Sequence, residues 1–459
     1  MFAPRLAACL LLFAVLFAAL AASAFAQPAA PGAPAQLGPR AAPTTRIQVG
    51  TLPVMDTTPT FDPDAATNKY LSQVSGQART RSDAYFEGSY WLQLVNLLYA
   101  LAVAGLLLWS KLSVRIQDWA QDRTPRRSYQ VMLYVAVYVP LVAAATFPLA
   151  LYESFFREHA YGLSNQTFWP WLGELGIQFA LSFAAALFLV PVLYMVIRHA
   201  RDTWWIWGAG LAIAFQIFVI VIWPGFIAPL YNRYAPLPDS ALKSQILSQA
   251  RANDVPVDNV FLVDASRQSK RVSANVSGFL GTARISLNDN LLKQGSPGEV
   301  LAIMGHEIGH YVLGHVTRGI LLQGLVVLAG FAFMHFGFLF ACEFFGGQWQ
   351  VRRISEVAGL PLLAALSSLF FFLAMPVSNS ISRTIETQAD IFGLNAVRKP
   401  DAFASVMLKL SAYRKLDPGK WEEIIFYDHP SGRTRIAAAM RWKKAHIADS
   451  DIRDTAQLP

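Results

Sequence analysis

The sequence predicts a mainly α-helical, polytopic membrane protein: a bundle or barrel of about six spanning helices, joined to one composite polar domain with a small β-sheet. Three observations lead there. Of the 459 residues, 54% are apolar and 15% charged, where soluble domains carry about 25% charged residues. Six segments, approximately 89–110, 129–152, 172–197, 203–230, 319–342 and 357–378, are long and apolar enough to cross about 30 Å of hydrocarbon. Two polar stretches, about 231–318 and 379–459, remain, and each is short for a domain of its own. They are expected to pack on each other, brought together by the two spans that separate them.

In chain order, residues 1–26 place Arg5 before an apolar core and end in Ala24-Phe25-Ala26, the pattern of a bacterial secretory signal peptide with an A-x-A cleavage site. The competing reading is a first transmembrane helix that stays attached. Residues 27–85 follow as a linker, rich in Pro and Ala as far as about residue 60. Four spans fill 86–230, and across all six the one charged side chain is Glu174, near an end. Pro191 and Pro224 are expected to kink their helices. Trp204, Trp205, Trp207 and Trp223 are expected to flank the fourth span as interfacial aromatics. The two cysteines, Cys9 and Cys342, both lie in apolar stretches, which excludes a disulfide framework and a cysteine-ligated metal.

The formal net charge of +8 points to the bilayer surface rather than to nucleic acid, because no basic run interleaved with aromatics is present. Lys111, Arg115, Arg123, Arg126 and Arg127 lie in one connection, Arg198 and Arg201 in a second, and Arg352 and Arg353 in a third. With six spans these three connections share a side. The positive-inside rule makes that side cytoplasmic, so both polar regions face the periplasm of a bacterial inner membrane.

The stretch GHEIGHYVLGH, residues 305–315, carries the chemistry. His306, Glu307 and His310 form an H-E-x-x-H pattern. Residues four apart lie about 40° apart around a helix, so the two imidazoles share a face and together can hold zinc. Glu307, one position along, is angled toward a metal-bound water rather than the metal. Ser296, Pro297 and Glu299 supply a capping box for this helix. His315 is five residues past His310, about 140° further round a continuous helix, and is read as a helix-end or supporting histidine rather than a ligand. A third ligand must come from elsewhere. In SRTIETQAD (382–390), Arg383, Glu386 and Asp390 stand at helical spacings. Spacing alone leaves two readings open: a solvated ion-paired face, or Glu386 as a carboxylate ligand with Asp390 orienting a ligand histidine.

These motifs resemble the integral-membrane zinc metallopeptidases of the type I CAAX prenyl endopeptidase family, which are gluzincins. The resemblance runs from about residue 130 onward, through LYESFFREHAYGLSNQT, FIAPLYNRYAPLPDSALKSQI, SGFLGTARISLNDNLL with the HExxH helix, SRTIETQADIFG and HPSGRTRI. It implies His306, His310 and Glu386 as ligands of one zinc ion, Glu307 as general base and Asp390 behind the ligands. It also implies His429 and Arg435 near the zinc, stabilising the oxyanion or binding substrate. Where the family has Ser-Asn-Ala in its substrate-binding edge strand, Val272-Ser273-Ala274 is read here, leaving Ser273 and Ala274 to meet substrate chiefly through the backbone. The composite domain is thus expected to be zincin-like and the spans to enclose a chamber. Eukaryotic members present the site to the cytosol, against the loop-charge reading.

The expected activity is metalloendopeptidase hydrolysis of flexible, membrane-associated polypeptides. Rival readings are a heat-shock-type membrane quality-control metalloprotease, against which the number of spans argues, and a non-catalytic zinc-containing membrane scaffold or transporter, which has no need of Glu307. The oligomeric state is not legible.

Overall fold

The computed structural model describes residues 61–277, 283–410 and 413–453, so the signal-peptide or first-helix reading of 1–26 lies outside the described residues. The expected linker ends early. Asp62 accepts from the Asp64 N–H and opens helix α1 (Pro63–Ser72), whose Leu71 is buried with Phe403 and Met440. α2 (Gly76–Trp109) then begins well before its apolar stretch. Its polar first turns need no lipid because Tyr85 bonds to Glu158, at the end of the next span, and Tyr90 to Glu422 of the polar domain.

α3 (Leu112–Arg123) follows, and α4 (Arg127–Leu151) continues through a π turn, Tyr152–Phe156, to Ala160. α5 is Phe168–His199 and α6 is Trp204–Ile222, prolonged by a π turn at Trp223–Ile227 that absorbs Pro224. With α10 (His315–Trp349) and α11 (Leu360–Val397), introduced below, six helices among the described residues are long and apolar enough to cross a membrane. All but the fourth outrun their expected spans, since backbone hydrogen bonding does not stop where hydrocarbon does; the fourth, Trp204–Leu230, nearly coincides with its expectation. Trp204 departs from the interfacial expectation: it is 1% exposed and donates its indole N–H to His335 Nδ1 at 2.9 Å. Trp207, at 60% exposure, keeps the outward position.

The polar domain is assembled from both sides of α10 and α11. β1 (Tyr234–Pro236), α7 (Ala241–Ala252), β2 (Val260–Val263), β3 (Ala274–Ser277) and β4 (Arg284–Asn288) make a four-stranded sheet in the order β1-β2-β4-β3. β2 and β4 are parallel, the other pairs antiparallel, and β3 lies at the edge. α8 (Asp289–Gln294) leads into α9 (Pro297–Val312), whose Val300, Met304 and Ile308 pack into one core with Val276, Ile285 and Leu287 of the sheet. α12 (Pro400–Lys409), α13 (Lys420–Phe426) and α14 (Gly432–Ala445) close the domain.

One set of contacts holds the domain at one end of the bundle, and a second ties two connections together at the other. Arg271, just ahead of β3, pairs with Glu158 at 2.9 Å, and Gln268 donates to Glu174 of α5 at 2.8 Å. At the far end, Ser113 donates to the Ala358 carbonyl at 2.7 Å and Gln117 accepts the Ala358 N–H at 2.9 Å. The basic connections at 110–126 and 350–359 therefore meet at the end opposite the polar domain.

α9 starts as its sequence dictates. Ser296 and Glu299 form the reciprocal capping box. The Glu299 carboxylate also receives Lys409 Nζ at 2.6 Å and Ser405 Oγ at 2.7 Å. Burial pushes its pKa up, but these donors and the Ser296 N–H outweigh it and hold the carboxyl below its ordinary value. A depressed carboxylate contributes stability at pH above its unfolded value, and that contribution is lost as pH falls through the folded one. Glu299→Ala is expected to cost about 2–3 kcal/mol at neutral pH, from the lost cap and charge-assisted bonds. Thermal unfolding in detergent at pH 7 checks it, the difference from wild type shrinking on acidification.

Candidate active site and metal centre

α9 brings His306, Glu307 and His310 to the site, and α11 brings Glu386 and Asp390. α11 is one helix from the membrane span to Val397, where the sequence suggested a span ending near 378 and a separate polar segment. Its core is apolar and its last turns are polar, but nothing breaks it: Pro376 lies inside the helix. Glycines set the spacing of α9 and α11. A Cβ at Gly393 would stand 2.8 Å from the His306 backbone nitrogen, and one at Gly305 would stand 3.2 Å from Gly393 Cα. The sequence reading passed over both, although an isolated glycine inside a good helical pattern is a signal of close backbone approach.

Three donor atoms converge between these helices. His306 Nε2 lies 3.2 Å from Glu386 Oε2, His310 Nε2 lies 3.5 Å from Glu386 Oε1, and the two Nε2 atoms are 3.0 Å apart. The donor atoms of His306, His310 and Glu386 all fall within 4.8 Å of one another, and all three residues are buried. The set fits a cation. Glu386 Oε2 is buried with no hydrogen-bond partner among the described residues, although two imidazole nitrogens lie close by. Facing lone pairs repel unless a cation or proton lies between them, and two nitrogens with one carboxylate are the donor set of three-ligand catalytic zinc sites.

The far side of His306 is held by charge. Its Nδ1–H donates to Asp390 Oδ1 at 2.8 Å, and Arg435 grips the same carboxylate through Nε to Oδ2 at 2.8 Å and Nη2 to Oδ1 at 2.5 Å. Arg435 is 6% exposed and packs over Phe403. The resemblance implied that Arg435 meets oxyanion or substrate. The geometry instead puts its guanidinium on the Nδ1 side of His306, away from the converging Nε2 atoms. His429, on the loop ahead of α14, turns Nε2 toward the cluster, 3.4 Å from Glu386 Oε2, with Nδ1 at 2.9 Å from Asp428 Oδ1.

Burial pushes the Glu307 carboxyl up to about 7; the charges of His306 and Arg435 work against this rise, and that of Glu386 adds to it. Burial and the neighbouring His306 charge press His310 down to about 3, leaving it a neutral imidazole with a lone pair to give. His306 behaves oppositely: burial lowers it, but the bond to Asp390 and the nearby carboxylate charges of Asp390 and Glu386 win and, with no ion bound, raise it to about 10.

His315 is nearer than a continuous helix allows. α9 ends at Val312 with Leu313 as its cap, Gly314 adopts φ +64° and α10 restarts at His315, which folds its ring back to 3.0 Å from His310 Nδ1. It does not join the three converging donors.

Ala274 opens β3, and the Ser273 carbonyl just before it accepts the Asn288 N–H at 3.0 Å. One side of β3 pairs with β4, and the other has no neighbour among the described residues, so an extended peptide has an edge to join. Asn275, also passed over, holds a buried Oδ1 with no partner among the described residues. Its position between Ala274 and Val276 in an alternating strand was the available signal.

Comparison with known proteins covers both parts of the chain. Residues 236–443 match the profile of peptidase family M48, and residues 64–233 match that of the CAAX prenyl protease N-terminal region, described as five membrane helices. Four of the long apolar helices fall in that second stretch here, with α1 and α3 between and before them. The chain is similar to the uncharacterized metalloprotease YhfN of Bacillus subtilis, 32% identical over 342 residues that span 74% of this chain and 80% of that one. A CAAX prenyl protease 1 homolog of Oryza sativa subsp. japonica is 28% identical over 306 residues, 63% of this chain and 68% of the relative. The crystal structure of S. mikatae Ste24p shares the fold, with a TM-score of 0.68 at 20% identity over 82% of this chain and 95% of that one.

Proposed function

The chain belongs to peptidase family M48 and is a CAAX prenyl protease-like membrane metallopeptidase, and on that premise we propose that its metal is one zinc ion per chain, held by His306, His310 and Glu386, with Glu307 as general base. The observation that carries this reading is the convergence of three buried donors, with Glu307 held beside them on the helix that carries His306 and His310. The matched N-terminal membrane region favours it over the shorter heat-shock type, and Glu307 favours it over a scaffold.

Bound, the ion supplies a polarised water and a positive charge for the developing oxyanion. With the ion held by His306, His310 and Glu386, Glu307 would take a proton from the attacking water as the water's oxygen bonds the scissile carbonyl carbon. The same proton passes to the leaving nitrogen as the C–N bond breaks. His429 turns Nε2 toward the oxyanion and, with its Nδ1–H on Asp428, would donate to it as the doubly protonated ring. Asp390 fixes the His306 ring, and Arg435 fixes Asp390, acting through them rather than on substrate. Substrate pairs with β3 as an added strand through the backbone near Ser273 and Ala274, and Asn275 Oδ1 offers an acceptor to a substrate N–H.

Hydrolysis of a quenched peptide that stops on chelation and returns with zinc, together with one zinc per purified chain, is the direct test. Persistent activity in zinc-free protein overturns the reading. The roles of His429 and Arg435 separate in a paired measurement. His429→Ala is expected to lower kcat about 10²–10³-fold with zinc retained, whereas Arg435→Lys weakens zinc binding about 10-fold. Equal zinc loss in both variants sinks that division.

The basic connections opposite the site support a bacterial inner membrane with a periplasmic site, acting on flexible, membrane-associated polypeptides. The relatives named CAAX prenyl proteases support a second reading, a cytosolic site acting on prenylated C-termini. A reporter fused after residue 459 decides the side. Periplasmic activity sustains the first reading and cytoplasmic activity the second.

A further inference from the structure

We infer that His315, Gln388 and Arg318 form a relay that sets the tautomer of His310, making His315 a positioning residue for the metal centre. This rests on the reading of His310 as a metal ligand. One group in this set has no choice of role. An arginine guanidinium only donates, and Arg318 Nη1 lies 3.4 Å from the Gln388 side-chain oxygen. That contact settles which way the Gln388 amide faces, a choice that an amide's shape alone leaves open. The same oxygen lies 3.1 Å from His315 Nε2, so Nε2 carries the proton.

A neutral imidazole has one N–H, which leaves His315 Nδ1 with a bare lone pair. It faces His310 Nδ1 at 3.0 Å, and that contact is a hydrogen bond only if His310 donates. With its proton at Nδ1, His310 turns an unprotonated Nε2 toward His306 Nε2 and Glu386, where the donors converge. The reverse arrangement sets the lone pairs of His315 Nε2 and Gln388 Oε1 against each other at 3.1 Å.

The two histidines are thus oriented by unlike means. His306 leans on a carboxylate clamped by Arg435, a strong and charged partner. His310 leans on a neutral imidazole that is 1% exposed and is itself held by an amide at the solvent edge. Gly314 makes the arrangement reachable: its left-handed φ of +64° breaks α9 from α10 and turns His315 back on the helix that precedes it. Gln388 sits on α11 between Glu386 and Asp390, so one helix supplies a ligand and the end of both supports.

Zinc affinity of the full-length protein in detergent, measured against a chelator of known strength, tests the relay. Thermal unfolding of the metal-free protein is followed in parallel. His315→Phe keeps ring bulk without the acceptor and is expected to bind zinc about 10–100-fold more weakly, with the metal-free Tm unchanged. His315→Asn, whose Oδ1 replaces Nδ1, is expected to restore affinity to near wild type. Wild-type affinity in His315→Phe overturns the relay, as does an Asn variant as weak as the Phe one. If His315→Phe fails to fold, Gln388→Met is expected to weaken zinc binding and Gln388→Glu to maintain or tighten it. Indifference to both also overturns the proposal. His310→Ala is the control for the premise: undiminished zinc there removes the ligand assignment itself, whereas zinc loss there with normal relay variants removes the relay alone.

Discussion

Glu307→Gln is expected to lower kcat by about 10²–10⁴-fold, the usual contribution of a positioned general base, while the protein still binds one zinc per chain. Glutamine keeps the size and one acceptor oxygen of glutamate but cannot take a proton from water. Zinc is retained because Glu307 is not among the converging donors, which come from His306, His310 and Glu386. The measurement is a single-turnover assay on a quenched peptide beside metal analysis of the same preparation. A variant that is active at the wild-type rate ends the mechanism, and one that is inactive and metal-free moves Glu307 from base to structural support.

Gly393→Val is expected to remove the metal site from a distance. The first carbon of any side chain there meets the His306 backbone nitrogen at 2.8 Å, and a backbone cannot rotate aside as a side chain can. α9 and α11 must separate, and His306 and Glu386 are carried on opposite members of that pair. The expected result is about 3 kcal/mol of lost stability, at the upper end of overpacking effects, together with loss of bound zinc. Gly176→Val is the matched control, because a Cβ at that α5 position has nothing within 4 Å. Thermal unfolding and zinc content of the two variants check the claim, and equal behaviour refutes it.

Local pattern made much of this legible. Long apolar runs announce spans because backbone groups in hydrocarbon must be satisfied within the helix. HExxH places two histidines together because a four-residue step returns to the same helix face. The capping box at Ser296 and Glu299 was readable from three residues, and it forms as read. Other features turn on partners far away in the chain. Trp204 looked interfacial by its place at a span end, yet His335, 131 residues on, takes its N–H inside the bundle. Arg435 looked like a group for the oxyanion until Asp390, 45 residues before it, accounted for its donors. The helix count of 140° for His315 assumed an unbroken helix, and one left-handed glycine overrode it.

By itself the sequence determined a membrane-spanning helical protein, a pair of histidines on one helix face with a glutamate between them in the chain, and the helix cap that positions them. Each of these depends on residues within a turn or two, where covalent spacing dictates geometry. Only the tertiary structure decided how near Glu386 comes to that pair, which side of His306 Arg435 occupies and that His315 folds back against His310. Those depend on how near two helices come, and here that distance is set by Gly305 against Gly393, residues 88 positions apart that carry no chemistry of their own.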